Sequence, residues 1–137
     1  MEAGAGGMKR ILVADVPQMD VRYAAAFTGH ELVPVRTMAS ARQALDAQHF
    51  DLVAIGVYFD DSQMFDLVRA VRSDDTHNEV PILCVRGRPG FTAITGRTLE
   101  MTVKALAADA FIDLLHFSDD AAGDAALRAA AAPFLKD

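Results

Sequence analysis

Hydrophobic and polar positions along this chain follow two alternating rhythms. Short apolar runs predict strands at Arg10–Ala14, Glu31–Val35, Asp51–Val57, Pro81–Arg86 and Ala110–Leu114. Most are continuous rather than alternating, as expected of parallel strands covered on both faces. The segments between them carry the helical period. Met19, Tyr23 and Phe27 share one face after Pro17, which suits a first helical turn, and Gly29 stands where a C-terminal cap belongs. Ala41, Ala44 and Leu45 mark a second helix. Met64, Leu67, Val68 and Val71 form the stripe of a third, with Asp61 or Ser62 as its cap. Leu99, Val103 and Leu106 mark a fourth, and an alanine-rich fifth runs from about Asp119 to Phe134, capped by Ser118 or Asp119. Alternating strands and helices predict a three-layer, doubly wound α/β domain with a parallel five-stranded sheet. No linker or internal boundary interrupts residues 9–137, so they read as a single domain.

Composition narrows the function classes. With 52% hydrophobic and 23% charged residues in 137, the chain reads as globular. A formal net charge of −6 argues against nucleic acid as the main partner, because phosphate binding needs a concentrated basic footprint. Cys84, the single cysteine, lies in an apolar run, which excludes a disulfide framework and points to an inert buried thiol in a reducing compartment, with the cytoplasm as default. No apolar stretch approaches the ~20 residues that span a bilayer, so no membrane partner is expected. Residues 1–8, glycine-rich and without signal-peptide features, read as a flexible leader.

The order of elements, together with Ile11-Leu-Val-Ala-Asp15, Phe50-Asp-Leu-Val-Ala-Ile-Gly56, Met64-Phe-Asp-Leu-Val-Arg-Ala-Val-Arg72, Val80-Pro-Ile-Leu-Cys-Val85 and Ala107-Ala-Asp-Ala-Phe-Ile112, resembles the receiver domain of two-component response regulators. The match runs from about Lys9 to Phe134. It implies a CheY-like, flavodoxin-like sheet in the order 2-1-3-4-5. It also implies a site: an acidic pair after the first strand that holds Mg²⁺, a phosphoaccepting aspartate ending the third, a hydroxyl residue after the fourth and a lysine after the fifth. In this chain those positions fall on Asp15-Val16, Gly56, Arg86 and Leu114. Only Asp15 keeps a functional side chain. Glycine offers no nucleophile, one carboxylate alone should hold Mg²⁺ weakly or not at all, and Leu114 cannot neutralise a phosphate. The chain therefore reads as a degenerate receiver without cofactor and without enzymatic activity.

Three functional readings follow. In the first, the chain is a stand-alone receiver-like module that signals by binding another signalling protein independently of phosphorylation, with a homodimer through the fourth helix, fifth strand and fifth helix as one form. The chain ends soon after the fifth helix, so output is expected from a partner. In the second, Asp15, the space opened at Gly56, and the loop carrying Arg86, Arg88 and Arg97 take a small anionic ligand. In the third, Asp60 or Asp61 accepts phosphate in place of residue 56, against the simpler reading of both as helix caps. Arg86 is also placed to reach across the crevice to Asp15. The loop falls short of a P-loop, since Gly90 and Gly96 enclose five residues and Arg97 replaces the lysine. His30, His49, His77 and His116 lack metal-ligand spacing and read as surface or element-end residues, and Ser62 and Ser118 read as caps rather than nucleophiles.

Overall fold

The computed structural model describes residues 7–87 and 95–136. The expected leader, apart from Gly7 and Met8, and most of the arginine-bearing loop, Arg88 and Gly90 included, lie outside the described residues. Strands apolar on both faces pair in parallel. β1 (Arg10–Ala14), β2 (Glu31–Val35), β3 (Leu52–Gly56), β4 (Ile82–Arg86) and β5 (Ala110–Asp113) form one sheet in the order β2-β1-β3-β4-β5, with every neighbouring pair parallel. The central strand β3 is buried at every residue. β2 lies at one edge, where Pro34 stands opposite Val13.

Among the described residues five helices cover the sheet: α1 (Asp20–Ala26), entered by a 3-10 turn at Pro17–Met19, then α2 (Met38–Ala47), α3 (Met64–Arg72), α4 (Gly96–Ala105) and α5 (Asp120–Ala131). Successive strand residues point to opposite faces, so the core divides in two. Leu12, Val53 and Ile55 pack with Leu45, Leu67, Val71 and Leu99 from α2, α3 and α4. Ile11, Leu52 and Leu83 pack with Tyr23 and Leu127 from α1 and α5. The predicted α1 stripe of Met19, Tyr23 and Phe27 is buried as a unit, and Gly29 takes a φ of 92° beyond it, where a side chain would be strained. Thr37 and Ser40 form a capping box on α2. Asp119, rather than Ser118, caps α5 by accepting from the Ala122 amide at 2.8 Å, and Pro133 sits in the 3-10 turn that ends the helix.

Two expectations are corrected. Neither Asp61 nor Ser62 caps α3, whose start carries no side-chain cap. Phe59–Ser62 instead makes a tight turn in which Asp60, Asp61 and Ser62 all have left-handed φ values of 43°, 56° and 65°. Each costs about 1–2 kcal/mol outside glycine, and side-chain bonds hold the turn in place. Asp60 Oδ2 accepts from the Met38 amide at 2.8 Å, which makes it a cap for α2, and Gln63 Nε2 donates to the Asp60 carbonyl at 2.8 Å. His77 is not a surface residue. It is buried, with Nε2 accepting from the Phe50 amide at 3.2 Å and Nδ1 lying 2.6 Å from Asp74 Oδ2. The Phe50 bond fixes the tautomer, leaving Nδ1 to donate to Asp74.

Candidate functional site

The carboxyl ends of β1, β3, β4 and β5 converge on the crevice where open α/β sheets bind ligands. Asp15 follows β1, Gly56 ends β3, Arg86 ends β4 and Asp113 ends β5. Asp15 is only 3% exposed, and its carboxyl turns inward over β3. A Cβ built on Gly56 would overlap the Asp15 carboxyl carbon and both carboxyl oxygens. The space expected to open at residue 56 is therefore filled from within. The same connection closes a second gap, because a Cβ on Gly87 would overlap the terminal methyl and sulfur of Met19. Asp15 and Met19 thus use two glycines, just past or at the strand ends, as receptacles.

Asp15 has its hydrogen bonds supplied locally. Oδ1 accepts from the Val16 amide at 2.7 Å and Oδ2 from the Tyr23 hydroxyl at 2.6 Å. Arg36 donates to the Asp15 carbonyl at 2.9 Å and also pairs with Asp20. Burial pushes the Asp15 carboxyl up from its usual 3.8 to about 6, against the pull of the Tyr23 hydroxyl, the Val16 amide and the Arg36 charge, while Asp20 adds to the push. Burial and the adjoining Asp15 together hold the Tyr23 hydroxyl well above its usual range. Sequence reasoning took Tyr23 only as a core residue. Its hydroxyl among the apolar positions of α1 is the signal that a buried polar partner must exist.

Arg86 does not reach toward Asp15. It turns along the sheet edge to Asp113, which lies opposite it in the β4–β5 register, and makes a two-pronged bond: Nε donates to Oδ1 at 3.1 Å and Nη2 donates to Oδ2. Asp113 Oδ1 also accepts from the Leu115 amide at 3.1 Å, capping the 3-10 turn Leu114–His116, and His116 Nε2 lies 3.6 Å from Oδ2. Burial works against the Asp113 charge, yet the Arg86 bond, the Leu115 amide and the charges of Arg86 and His116 outweigh it and hold the carboxyl below its usual value. The bond to Asp113 likewise raises the Arg86 guanidinium. Asp113 escaped sequence reasoning, which singled out its neighbour Leu114. Leu114 is instead buried in the core beside Leu127.

These residues do not fit a hard divalent cation. Both Asp15 oxygens already accept hydrogen bonds, Gly56 has no side-chain ligand, and the end of β4, next to β3, presents a guanidinium. Among the described residues no group of three or more His, Cys, Asp and Glu side chains is placed to share a metal. Asp60 is engaged by α2, and Asp61 is exposed on the left-handed turn. Arg97 is exposed in the first turn of α4. Cys84 is buried, which pushes its thiol up to about 12, as an inert thiol requires.

The sequence matches no protein-family model and no curated protein. The architecture has clear counterparts among solved structures. The phosphorylated cyanobacterial phytochrome response regulator RcpA aligns over 94% of this chain and 95% of its own, with a TM-score of 0.71 and 17% identity. The fold is that of response-regulator receiver domains. The chemotaxis response regulator CheY4 of Vibrio cholerae aligns over 90% of this chain and 98% of its own, with a TM-score of 0.68 and 18% identity. HP1043, an orphan response regulator of H. pylori, aligns over 97% and 100%, with a TM-score of 0.66 and 18% identity. At these identities the likeness carries the receiver architecture alone, and chemistry has to be argued from the side chains present.

Proposed function

We propose that this chain is a receiver-type module of two-component or phosphorelay signalling that acts by protein–protein contact and without aspartyl phosphate. The observation that carries this reading is the Asp15 carboxyl seated in the space that a side chain at residue 56 would need. Phosphoryl transfer depends on a positioned nucleophile and on charge stabilisation by metal and cationic groups. Gly56 supplies no nucleophile, both Asp15 carboxyl oxygens are held by the Val16 amide and the Tyr23 hydroxyl, and the Arg86 charge is paired with Asp113. The same arrangement disfavours a small anionic ligand seated on Gly56 and Arg86, since Asp15 fills the room at residue 56 and Arg86 is paired with Asp113. Enzymatic activity is not expected, and Mg²⁺ binding should be weak.

The face built from α4, β5 and α5 is the proposed contact surface. Here a cleft of ≈ 350 Å³ lies between the first turn of α4 and the end of β5, bordered by Arg97, Phe111 and Phe117. Phe117 and Leu115 are each 39% exposed and Met101 is 63% exposed; such apolar exposure in one region marks contact surfaces. The proposed partner is another signalling protein, or a second copy of the chain. No helix among the described residues is long and apolar enough to cross a membrane, and the cytoplasm is the proposed location.

Incubation with acetyl phosphate and Mg²⁺, followed by intact mass spectrometry, tests the reading. No covalent gain is expected. An acid-stable, base-labile gain of one phosphoryl group would overturn it, and peptide mapping to Asp60 or Asp61 would establish a relocated acceptor.

A further inference from the structure

The Arg86–Asp113 pair has a third neighbour. Gly96, the first residue of α4, approaches so closely that a Cβ there would stand 2.5 Å from Asp113 Oδ2 and 3.0 Å from Arg86 Nη2. The ends of β4 and β5 and the start of α4 therefore meet at one charge pair. Its side chains are largely shielded, at 14% and 4% exposed, and its two-pronged geometry fixes direction as well as distance. Asp113 reaches further, through the Leu115 amide, into the turn that carries Leu115, His116 and Phe117. Asp113, His116 and Phe117 line the cleft together with Gly96 and Arg97.

We infer that Arg86, Asp113 and Gly96 form a built-in clamp that fixes the start of α4 against the end of β5, holding the contact cleft in one shape without any phosphoryl group. This rests on the proposed contact role of that face but not on the absence of phosphorylation. Three features distinguish a clamp from an ordinary surface ion pair. The pair joins neighbouring strands in register rather than side chains on one helix. Its carboxylate caps the turn that forms the far wall of the cleft. The helix forming the near wall begins with the one residue that leaves room for it. An exposed pair without such a geometry would contribute little, whereas removing one member of a shielded pair strands the other.

Amide hydrogen exchange on the full chain tests the clamp, with α1 and α2 as internal references. Arg86→Gln is expected to speed exchange in α4 and β5 by roughly tenfold or more, leaving α1 and α2 within about twofold. Gly96→Ala is the sharper variant. Helix propensity alone favours alanine and predicts slower exchange in α4, while the clamp predicts faster exchange because the added methyl pushes the pair apart. Unchanged α4 exchange in Arg86→Gln, a uniform rise across every element, or slower α4 exchange in Gly96→Ala would each overturn the inference. The acetyl phosphate experiment stands apart: a phosphoryl gain by the unaltered chain would sink the proposed function, while the exchange pattern would still decide the clamp.

Discussion

Two carboxylates at the same end of the sheet are treated in opposite ways. Asp15, between β1 and β3, is buried with neutral donors, and its proton affinity rises to about 6. Asp113, at the end of β5, has a guanidinium across its two oxygens and loses proton affinity. Burial opposes charge at both. The presence of a fitted cation decides the outcome, since the backbone carbonyl rather than the carboxyl of Asp15 receives Arg36. One half of this crevice is thus biased toward neutrality and the other toward a fixed ion pair.

The largest effect should come from disturbing the neutral half. Gly56→Asp forces a second carboxyl into space that Asp15 fills, combining overpacking with like charge, and should cost roughly 4 kcal/mol in urea unfolding. A variant that folds as well as the parent would show that Asp15 swings outward readily. Next comes the pH dependence of stability. A folded-state pKa raised from 3.8 to about 6 means the native state holds the Asp15 proton longer than the unfolded chain does. This contribution is complete below pH 4 and is lost as the pH climbs through 6. Its size is about 3 kcal/mol. Asp15→Asn should remove that downward slope, and denaturation midpoints between pH 4 and 8 measure it. The charged half should behave in the reverse sense, because the depressed Asp113 adds stability above its unfolded pKa that disappears on acidification. Asp113→Asn, which removes the carboxylate charge facing Arg86, should cost about 2 kcal/mol at neutral pH. The smallest effect belongs to Tyr23→Phe. Loss of one hydrogen bond should cost about 1 kcal/mol and push the Asp15 titration higher still, which carboxyl NMR reads directly. A lowered Asp15 value would mean that the tyrosine is not its principal donor.

The fold was legible because its physics is periodic. Continuous apolar runs marked strands buried on both faces, and helical stripes such as Met64, Leu67, Val68 and Val71 became buried faces of α3. Part of the candidate site was legible as well, since residue types alone place a glycine at 56 and an acid at 15. What stayed hidden was direction. Asp15 points into the gap left by Gly56 and Arg86 points away from Asp15, and both choices depend on distant partners, Tyr23 and Asp113, that no local pattern ties to them. An aspartate ending the otherwise apolar strand Ala110–Asp113 was the available clue. The left-handed run at Asp60–Ser62 was the least readable feature, because a glycine ordinarily announces such geometry and none is present.

Pro34 carries a last consequence. It stands in β2, the outermost strand on one side, and has no amide proton to offer a neighbour. A sheet margin interrupted in this way resists zipping to a foreign strand. Association on that flank would have to proceed by side-chain fit rather than by extending the ladder, which turns attention to the opposite flank for any recruitment of other molecules.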